Sequence, residues 1–175
     1  MDRGTQDALY AEASAANTAA IRRLARGYEA NPDRQRDLLQ EIYIELWVSL
    51  GSFDGRCSLR TWVYRIAHNV GASHAARDRR LNSRLVDLET LEARISSGDG
   101  KAEVERRHSA AILLDLIHRL KPLDRQVIML YLEGEAAGSI AEVTGISASN
   151  VATKIHRIKK MLKQKYLEGA ADARI

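Results

Sequence analysis

The sequence predicts an all-α fold made of two small helical domains. Only two prolines occur in 175 residues, Pro32 and Pro122, so long helices can form without interruption. Stretches rich in Val, Ile and Thr that alternate with polar residues, as strands do, are absent. Apolar residues recur instead every three or four positions, which places them on one face of a helix. The hydrophobic content of 45% is normal for a soluble globular protein.

The N-terminal half predicts three helices. The first covers about residues 18–28 and the second about residues 34–50, with a turn at the Asn-Pro-Asp sequence between them. Asp54 and Gly55 then mark a tight loop, and Ser58 is a good N-cap for the third helix. The residues expected to face inward are Ile21, Leu24, Ala25, Tyr28, Leu39, Ile42, Tyr43, Leu46, Leu50, Leu59, Trp62, Val63, Ile66 and Val70.

The C-terminal half predicts two helices followed by a helix-turn-helix. The first helix begins near Ser109, and the second covers about residues 123–132, after Pro122. Gly145 supplies the backbone freedom that ends a short helix and turns the chain, and Ser147 is a good N-cap for the last helix. The apolar stripe of this last helix, at spacings of four, three and four, is Val151, Ile155, Ile158 and Leu162.

An acidic, loop-forming segment separates the two halves. Residues 81–105 carry six acids against three bases and include Ser-Ser-Gly-Asp-Gly, a composition that favours a flexible linker. The predicted organisation is therefore an N-terminal domain at 1–80, a flexible acidic linker at 81–108, a C-terminal domain at 109–168 and a disordered tail at 169–175.

The exposed face of the last helix is basic. Residues 147–167 contain six Lys or Arg residues and no Asp or Glu, so this face can neutralise nucleic-acid phosphates. In a helix-turn-helix the N-terminal residues of the second helix meet base edges. An ordinary amphipathic hairpin with a solvated basic face shows the same pattern. The candidate DNA-binding residues are Asn150, Thr153, Lys154, His156, Arg157, Lys160 and Lys163.

An acidic and amide-bearing strip runs along the second predicted helix. Its spacing of three, one and four places its members together on the exposed side, where they suit a basic partner surface. Simple solvation is the commoner reason for such a strip. The members of this docking strip are Asp37, Gln40, Glu41 and Glu45.

The loop after residue 50 and the third helix interleave aromatic residues with arginines. Aromatic rings stack on unpaired bases and guanidinium groups hold phosphates, so the pattern favours binding to single-stranded DNA. In the alternative interpretation, Phe53 and Trp62 are core residues and the arginines keep the surface soluble. The arginine–aromatic set comprises Phe53, Arg56, Arg60, Thr61, Tyr64, Arg65 and Asn69.

Composition argues against several other classes of protein. No apolar run has the length of a membrane span, and the first twenty residues carry acids without an apolar core, so a cytoplasmic protein is expected. The single cysteine, Cys57, excludes an intramolecular disulfide and a thiolate zinc site. Its place in the arginine–aromatic loop raises a redox-sensing hypothesis, but a small residue that fits the loop is the simpler interpretation. No metal, cofactor or small-molecule substrate is expected.

Three motifs resemble those of bacterial RNA polymerase sigma factors. RDLLQEIYIELW at 36–47 and FDGRCSLRTWVYRIAHN at 53–69 are similar to region two of these proteins. GSIAEVTGISASNVATKIHRIKKML at 138–162 is similar to region four. With the linker, the resemblance covers nearly the whole chain. The short length resembles the extracytoplasmic-function (ECF, group IV) type of the sigma-seventy family.

The resemblance implies a role for each surface. The docking strip, extended by Leu46, would bind the clamp helices of core RNA polymerase. The arginine–aromatic set, without Tyr64 but with Trp62 and Ser73, would read and melt the minus-ten promoter element by capturing a flipped base. The helix-turn-helix would read the minus-thirty-five element through Asn150, Thr153, Lys154, His156, Arg157 and Lys160.

The resemblance also implies partners and the absence of catalysis. The acidic linker would thread toward the polymerase active site and the RNA exit path. Sigma factors of this type are often held by an anti-sigma factor. The expected function is to confer promoter specificity on core polymerase, with strand opening driven by binding energy and not by an enzymatic step.

Two other functions fit parts of the sequence. A conventional helix-turn-helix regulator would bind duplex operators without polymerase, but the arginine–aromatic loop would then be unexplained. A metal-dependent enzyme acting on nucleic acid would use His68 and His74 with nearby acids. Their spacing of six does not place both on one helical face, as a spacing of four would.

Overall fold

The computed structural model describes residues 2–82 and 101–172, and this part of the chain contains seven α-helices and no strand. The predicted all-α fold is confirmed. Most of the predicted acidic linker lies outside the described residues, as do the last three residues of the predicted tail. The helices are α1 (Arg3–Tyr28), α2 (Pro32–Leu50), α3 (Leu59–Asn82), α4 (Lys101–His118), α5 (Pro122–Leu132), α6 (Ala137–Thr144) and α7 (Ala148–Asp172).

Local capping explains where α2 and α3 begin. The side-chain oxygen of Asn31 accepts hydrogen bonds from the backbone N–H groups of Asp33 and Arg34, and Pro32 fills a first-turn position where a missing N–H costs little. Ser58 caps α3 as predicted, because its hydroxyl accepts from the backbone N–H of Thr61 at 3.0 Å.

Helices α1, α2 and α3 form the N-terminal bundle, in which each helix packs against the other two. Each helix buries one apolar stripe, as the three- and four-residue spacing predicted. The fully buried members of this core include Ile21, Leu38, Ile42, Leu46, Leu50, Val63, Tyr64 and Ala67.

Helix α1 is much longer than the predicted helix at 18–28. Its additional N-terminal turns are rich in alanine, a strong helix former that contributes little to an apolar stripe. They nevertheless pack inward, since Ala13 is fully buried and the Asn17 side chain donates to the Ala13 carbonyl at 2.8 Å.

Helices α4 to α7 form the C-terminal bundle, and α6 and α7 are the predicted helix-turn-helix. Gly145 ends α6 in the left-handed conformation, with φ of 75°. Ser147 precedes α7 and accepts a hydrogen bond from the backbone N–H of Asn150 at 3.3 Å. Val151 and Ile158 of the predicted stripe are fully buried.

Two predicted boundaries fall inside helices. Helix α4 begins at Lys101, within the range predicted as linker, and α7 continues to Asp172, within the range predicted as a disordered tail. The polar composition of residues 101–108 favours a linker, but Lys, Ala, Glu and Arg are also good helix formers.

The two bundles contact each other mainly through α3 with α6 and through α1 with α4. Side chains of α1 also meet α5 and the residue after it, since Met129 lies over Gly27 and Arg23 pairs with Glu133. No helix in the described residues is long and apolar enough to cross a membrane.

Candidate nucleic-acid and partner interfaces

The docking strip lies on the outer face of α2. Asp37, Gln40 and Glu45 are exposed, and the half-buried Glu41 accepts a hydrogen bond from the Arg77 guanidinium of α3 at 2.5 Å. The docking strip is therefore solvent-accessible, and the ion pair between Glu41 and Arg77 links it to α3.

Leu46, assigned to the same surface from the family resemblance, is completely buried in the core of the N-terminal bundle. It supports α2 from inside and cannot contact a partner directly, so this assignment is corrected. Its position on the apolar stripe of α2 already indicated burial.

Two large apolar side chains beside the docking strip were missed. Ile44 is 61% exposed and Val48 is 55% exposed, and they lie one helical turn apart, next to Glu41 and Glu45. The available signal was their position off the apolar stripe, since branched aliphatic residues on an otherwise polar face often mark an interface.

The loop between α2 and α3 is folded around Asp54. Its carboxylate accepts from the backbone N–H of Arg56 at 3.1 Å and from the Arg56 guanidinium at 2.5 Å. These hydrogen bonds, the backbone one first, hold the pKa of Asp54 below its usual value. Gly55 adopts φ of 75°, as the tight turn requires. The half-buried thiol of Cys57 follows in the same loop.

Phe53 and Trp62 pack on each other and on the core. Their rings meet edge to face with centroids 5.4 Å apart, and the Trp62 indole N–H donates to the Ser49 hydroxyl at 3.1 Å. Both are half-buried, so the interpretation of these two as core residues is partly right. Each keeps a solvent-exposed part.

Three members of the predicted minus-ten surface face the C-terminal bundle. The Arg60 guanidinium donates to the Glu135 carboxylate at 2.7 Å, and Arg65 donates to the Glu142 backbone carbonyl at 2.9 Å. Thr61 is buried, and its hydroxyl lies 3.5 Å from the Glu142 carboxylate. These contacts join residues more than seventy positions apart, so local sequence patterns could not predict them.

Asn69 and Ser73 occupy the opposite end of the predicted minus-ten surface and are exposed. They line a cleft of about 400 Å³ between α2 and α3. The same cleft is lined by Glu41 and Glu45 of the docking strip, by Ile44 and by Arg77. The two surfaces predicted separately are thus continuous on one bundle.

The predicted minus-thirty-five residues lie on the outer face of α7. Asn150, Thr153, His156, Arg157 and Lys160 are exposed and Lys154 is half-buried. Asp124 at the start of α5, for which the sequence predicted no role, binds two of these basic residues. Its carboxylate oxygens accept from the Lys154 ammonium at 2.7 Å and from the Arg157 guanidinium at 2.9 Å.

The two histidines of the metal-enzyme hypothesis belong to different clusters. The His68 ring is buried, with Nδ1 2.9 Å from the Tyr28 hydroxyl, and burial lowers the His68 pKa to about 3. His74 lies 3.0 Å from the Glu29 carboxylate and 3.9 Å from Asp78. The structure therefore does not bring the two imidazoles together.

Glu29, His74 and Asp78 have potential ligand atoms within 4.8 Å of one another. The Arg34 guanidinium pairs with both carboxylates, however, and already supplies the positive charge that a cation would bring. Burial alone would raise the pKa of Glu29, but hydrogen bonds from the Asn31 backbone and His74, together with Arg34, lower it. The cluster acts as an ionic link among α1, α2 and α3.

Comparison with known proteins places this geometry in a family. The Sigma-70 region 2 family model matches residues 15–81, and the Sigma-70, region 4 model matches residues 110–162. The ECF RNA polymerase sigma-E factor of Haemophilus influenzae is 30% identical over 146 residues, which cover 74% of this chain and 72% of that protein. The RNA polymerase sigma factor YlaC of Bacillus subtilis is 27% identical over 141 residues, with 80% and 82% covered.

Solved structures show the same fold. The sigma factor RpoE of Bartonella quintana, in complex with the anti-sigma factor NepR, matches with a TM-score of 0.68 and 19% identity over 91% of this chain and 96% of that one. CnrH, in complex with the cytosolic domain of CnrY, matches with a TM-score of 0.62 and 21% identity over 89% and 85%.

The helix order and the two matched regions define a sigma-70-type transcription factor. Within that class, the chain belongs to the ECF RNA polymerase sigma factors.

Proposed function

We propose that each surface described above serves one step in the function of this sigma factor, which binds core RNA polymerase and directs promoter-specific initiation. The observation that carries the proposal is the cleft between α2 and α3. Its walls join the docking strip, through Glu41 and Glu45, to the polar residues Asn69 and Ser73 of the minus-ten surface. A polymerase subunit docked on α2 would therefore hold separated promoter strands beside α3.

The docking strip supplies both charge and apolar contact. Asp37, Gln40, Glu41 and Glu45 face solvent with Ile44 and Val48 beside them. An apolar centre surrounded by polar and charged groups is the usual composition of a protein–protein interface. We assign Ile44 and Val48 to the polymerase contact in place of Leu46.

The minus-ten surface supports base capture. Asn69 and Ser73 offer hydrogen-bonding groups to a base lifted from the stack. The exposed parts of Phe53 and Trp62 offer stacking surface, and the arginines of the set offer charge to the phosphates. Strand opening would then draw on binding energy alone, and no catalytic residue is required.

The helix-turn-helix would read duplex DNA. Asn150 and Thr153 lie in the first turns of α7, which meet base edges in this docking mode. Lys154, Arg157 and Lys160 follow on the same face and would contact phosphates. Because the two bundles read two DNA elements together, free protein should bind promoter DNA far more weakly than the holoenzyme does.

Because it acts with RNA polymerase, the protein would work in the bacterial cytoplasm. In the matched structures, RpoE is bound to the anti-sigma factor NepR and CnrH is bound to the cytosolic domain of CnrY. We propose that an anti-sigma factor of similar kind restrains this chain.

Reconstitution with core polymerase tests the proposal. Purified chain and core enzyme are incubated with a genomic promoter library, and run-off transcripts are sequenced. We expect promoter-dependent products only when the chain is present. No product across the library would overturn the proposal, and tight duplex binding without polymerase would favour the conventional regulator instead.

Two variants separate docking from strand opening. Ile44→Glu should reduce co-purification with core polymerase about tenfold or more, because it places a charge in an apolar contact. Asn69→Ala should retain polymerase binding but reduce permanganate reactivity of promoter thymines. Glu12→Arg, on the exposed face of α1, serves as a surface-charge control that should change neither readout.

A further inference from the structure

A cavity of about 240 Å³ lies where the two bundles meet. Its apolar walls include Leu24 of α1, Ile117 of α4 and Met129 of α5. Tyr64 and His68 of α3 also line it. An apolar cavity with a few well-placed polar groups is the usual form of a small-molecule site. None of the surfaces proposed to bind DNA or polymerase includes this cavity.

His68 brings an unpartnered ring nitrogen to the cavity. The residue is only 1% exposed. Its Nδ1 atom is bonded to the Tyr28 hydroxyl at 2.9 Å, whereas Nε2 has no hydrogen-bond partner among the described residues. No described side-chain nitrogen or oxygen that is sealed from solvent lacks a partner, so Nε2 is reachable from the cavity. A buried polar atom left open in this way indicates that something else binds there.

The Tyr28 hydroxyl determines which ring nitrogen of His68 carries the hydrogen. Burial lowers the pKa of His68 to about 3, so the ring is neutral and has a single N–H group. If Nδ1 carried that hydrogen, the buried Tyr28 O–H would have no acceptor among the described residues, which is costly. The hydroxyl therefore donates to Nδ1, and Nε2 carries the hydrogen. His68 thus offers a hydrogen-bond donor to the cavity.

Tyr64 supplies a second donor, one helical turn before His68. Its hydroxyl accepts from the Arg60 guanidinium at 3.0 Å, which leaves its own hydrogen to donate. Burial raises the pKa of Tyr64, so the hydroxyl keeps that hydrogen at neutral pH. The ring centroids of Tyr64 and His68 are 6.4 Å apart. Both donors can therefore serve oxygen atoms of one small ligand.

The charged groups around the cavity leave a net positive charge. Arg23 and Glu133 neutralise each other through two hydrogen bonds of 2.6 Å. Arg26 lines the cavity as well, and its guanidinium has no ion-pair partner among the described residues. Apolar walls, two neutral donors and one uncompensated cation together favour an anion with an apolar body.

We propose that this cavity binds a small carboxylic acid with an apolar body, whose carboxylate accepts from His68 and Tyr64 and faces Arg26. A cavity of about 150 Å³ holds a benzene ring, so this one has room for a ring and a short chain that carries the carboxylate. Residues of both bundles line the cavity, so the bound acid would stabilise the contact between them. The sigma factor would then respond directly to a metabolite of this class.

Titration of the full-length chain with para-fluorohydrocinnamate, a fluorophenyl ring on a short carboxylate chain, tests the proposal. We expect saturable broadening of its fluorine NMR signal with a Kd on the order of 1 mM or tighter, as suits a ligand of this size. The probe should also raise the Tm of the protein. A fluorine signal that stays sharp when about 10 mM protein sites would be half filled overturns the proposal.

The alcohol with the same fluorinated skeleton tests the chemical class of the ligand. It should bind about tenfold more weakly than the acid, because hydrogen bonds to a charged group are stronger than those to a neutral one. Equal affinity for the alcohol and the acid would contradict a carboxylate site.

Two tryptophan variants of α4 test the location of the site. Leu114 lines this cavity, whereas Leu113 lines a separate groove of the C-terminal bundle, and both side chains are half-buried. Leu114→Trp should fill the cavity and abolish the broadening. Leu113→Trp should keep the wild-type Kd. Circular dichroism checks that both variants fold, and equal effects of the two substitutions on binding would place the ligand elsewhere.

Arg26→Gln changes an exposed residue and so keeps the test decisive even if Leu114→Trp does not fold. It should weaken binding of the acid about threefold, as loss of one partly screened charge predicts, and leave binding of the alcohol unchanged. Arg22→Gln is the matched control, since Arg22 is exposed on α1 and does not line the cavity. Equal affinity of the two variants for the acid would contradict selection of a carboxylate by Arg26.

Tyr64→Phe tests the donors, because it keeps the ring in the core and removes only the hydroxyl. We expect about fivefold weaker binding of the acid, the effect of one lost hydrogen bond. Tyr131→Phe removes a hydroxyl that lies at the other groove and should leave the Kd unchanged. Equal affinity of Tyr64→Phe and Tyr131→Phe for the acid would contradict the proposed orientation of the carboxylate.

Discussion

Tyr28 and His68 place two titratable groups inside the core of the N-terminal bundle, where each satisfies the other. The hydroxyl and Nδ1 share a hydrogen bond of 2.9 Å, and the rings meet edge to face at 5.7 Å. Burial raises the pKa of Tyr28 and lowers the pKa of His68 to about 3. Both side chains are therefore neutral at neutral pH, and the pair has a structural role.

The depressed pKa of His68 makes stability depend on pH. In the unfolded chain this imidazole titrates near pH 6.5, so between about pH 6.5 and pH 3 the unfolded state binds a proton that the folded state does not. The free energy of unfolding should fall by about 2 kcal/mol between about pH 7 and pH 5 because of this group. Urea unfolding at both pH values measures it.

His68→Gln supplies the comparison, since glutamine does not titrate. The variant should be less stable at neutral pH but should lose about 2 kcal/mol less on acidification than the wild type. An unchanged pH dependence in the variant would assign the effect to other groups. The carboxylate of Glu29, whose pKa is lowered, contributes only at pH values below this window.

Gly71 allows α3 to approach Tyr28. A Cβ atom at this position would lie 2.5 Å from the ring atom Cδ2, and the ring is held by the core and by His68. Gly71→Ala should therefore lower the free energy of unfolding by about 1–2 kcal/mol, because the overpacking cost exceeds the gain in helix propensity. Thermal unfolding followed by circular dichroism measures the change.

Gly138 is the matched control for Gly71. It lies in α6, and a Cβ atom there would meet no atom within 4 Å. Gly138→Ala should raise stability by about 0.5 kcal/mol through helix propensity alone. Stabilisation by Gly71→Ala as well would show that the Tyr28 ring moves aside freely.

Between helices, Asp124 links α5 to the proposed DNA-reading face of α7. Its carboxylate holds Lys154 and Arg157 at once, and its side chain is only 12% exposed. This link restricts two long side chains to one geometry over the proposed promoter face. It also lowers the free positive charge there until DNA competes for the same donors.

Asp124→Asn should reduce promoter discrimination while increasing non-specific binding. Lys154 and Arg157 would keep their charges but lose their common anchor. We expect the holoenzyme to distinguish the cognate minus-thirty-five element from a scrambled element about threefold less well, measured by competition transcription. Asp115→Asn makes the same charge change in α4, where Asp115 pairs with Arg119, and should leave discrimination unchanged.

The turn between α6 and α7 could be predicted from the sequence, but the contacts between distant helices could not. The helix-turn-helix followed from local rules, because Gly145 and Ser147 determine the turn through backbone conformation and capping. The positions of Arg60 and Arg65 could be predicted, but their partners Glu135 and Glu142 could not. The partner of a long charged side chain depends on which residues the tertiary fold brings near it, and local spacing in the sequence does not predict this.

The docking strip was predicted only in part. Its polar members were predicted from helical spacing, but the family resemblance added Leu46, which is in the core, and Ile44 was overlooked. A resemblance aligns positions along the chain, whereas the phase of the apolar stripe decides which side of the helix each one faces. The stripe was the better guide here.

At the scale of the whole molecule, the interface between the bundles combines ion pairs with the packing of Met129 over Gly27. Salt separates these two contributions, since the screening length falls from about 10 Å at 0.1 M to about 3 Å at 1 M. The radius of gyration of the free wild-type chain should therefore increase over that range.

The radius of gyration of Glu133→Gln/Glu135→Gln should change less with salt, because this variant already lacks the ion pairs of Glu133 with Arg23 and of Glu135 with Arg60. Small-angle scattering across a salt series measures both proteins. A wild-type radius that does not change with salt would show that the Met129 contact alone holds the bundles together.

The exposure of Ile44 and Val48 would affect how long the free protein persists in the cell. More than half of each side chain faces water in the free chain, and exposed aliphatic patches promote self-association and recognition by quality-control proteases. Copies bound to polymerase would bury this patch, whereas surplus copies would display it. The amount of available polymerase would then limit how much of this sigma factor accumulates, because two side chains would couple its clearance to the abundance of its partner.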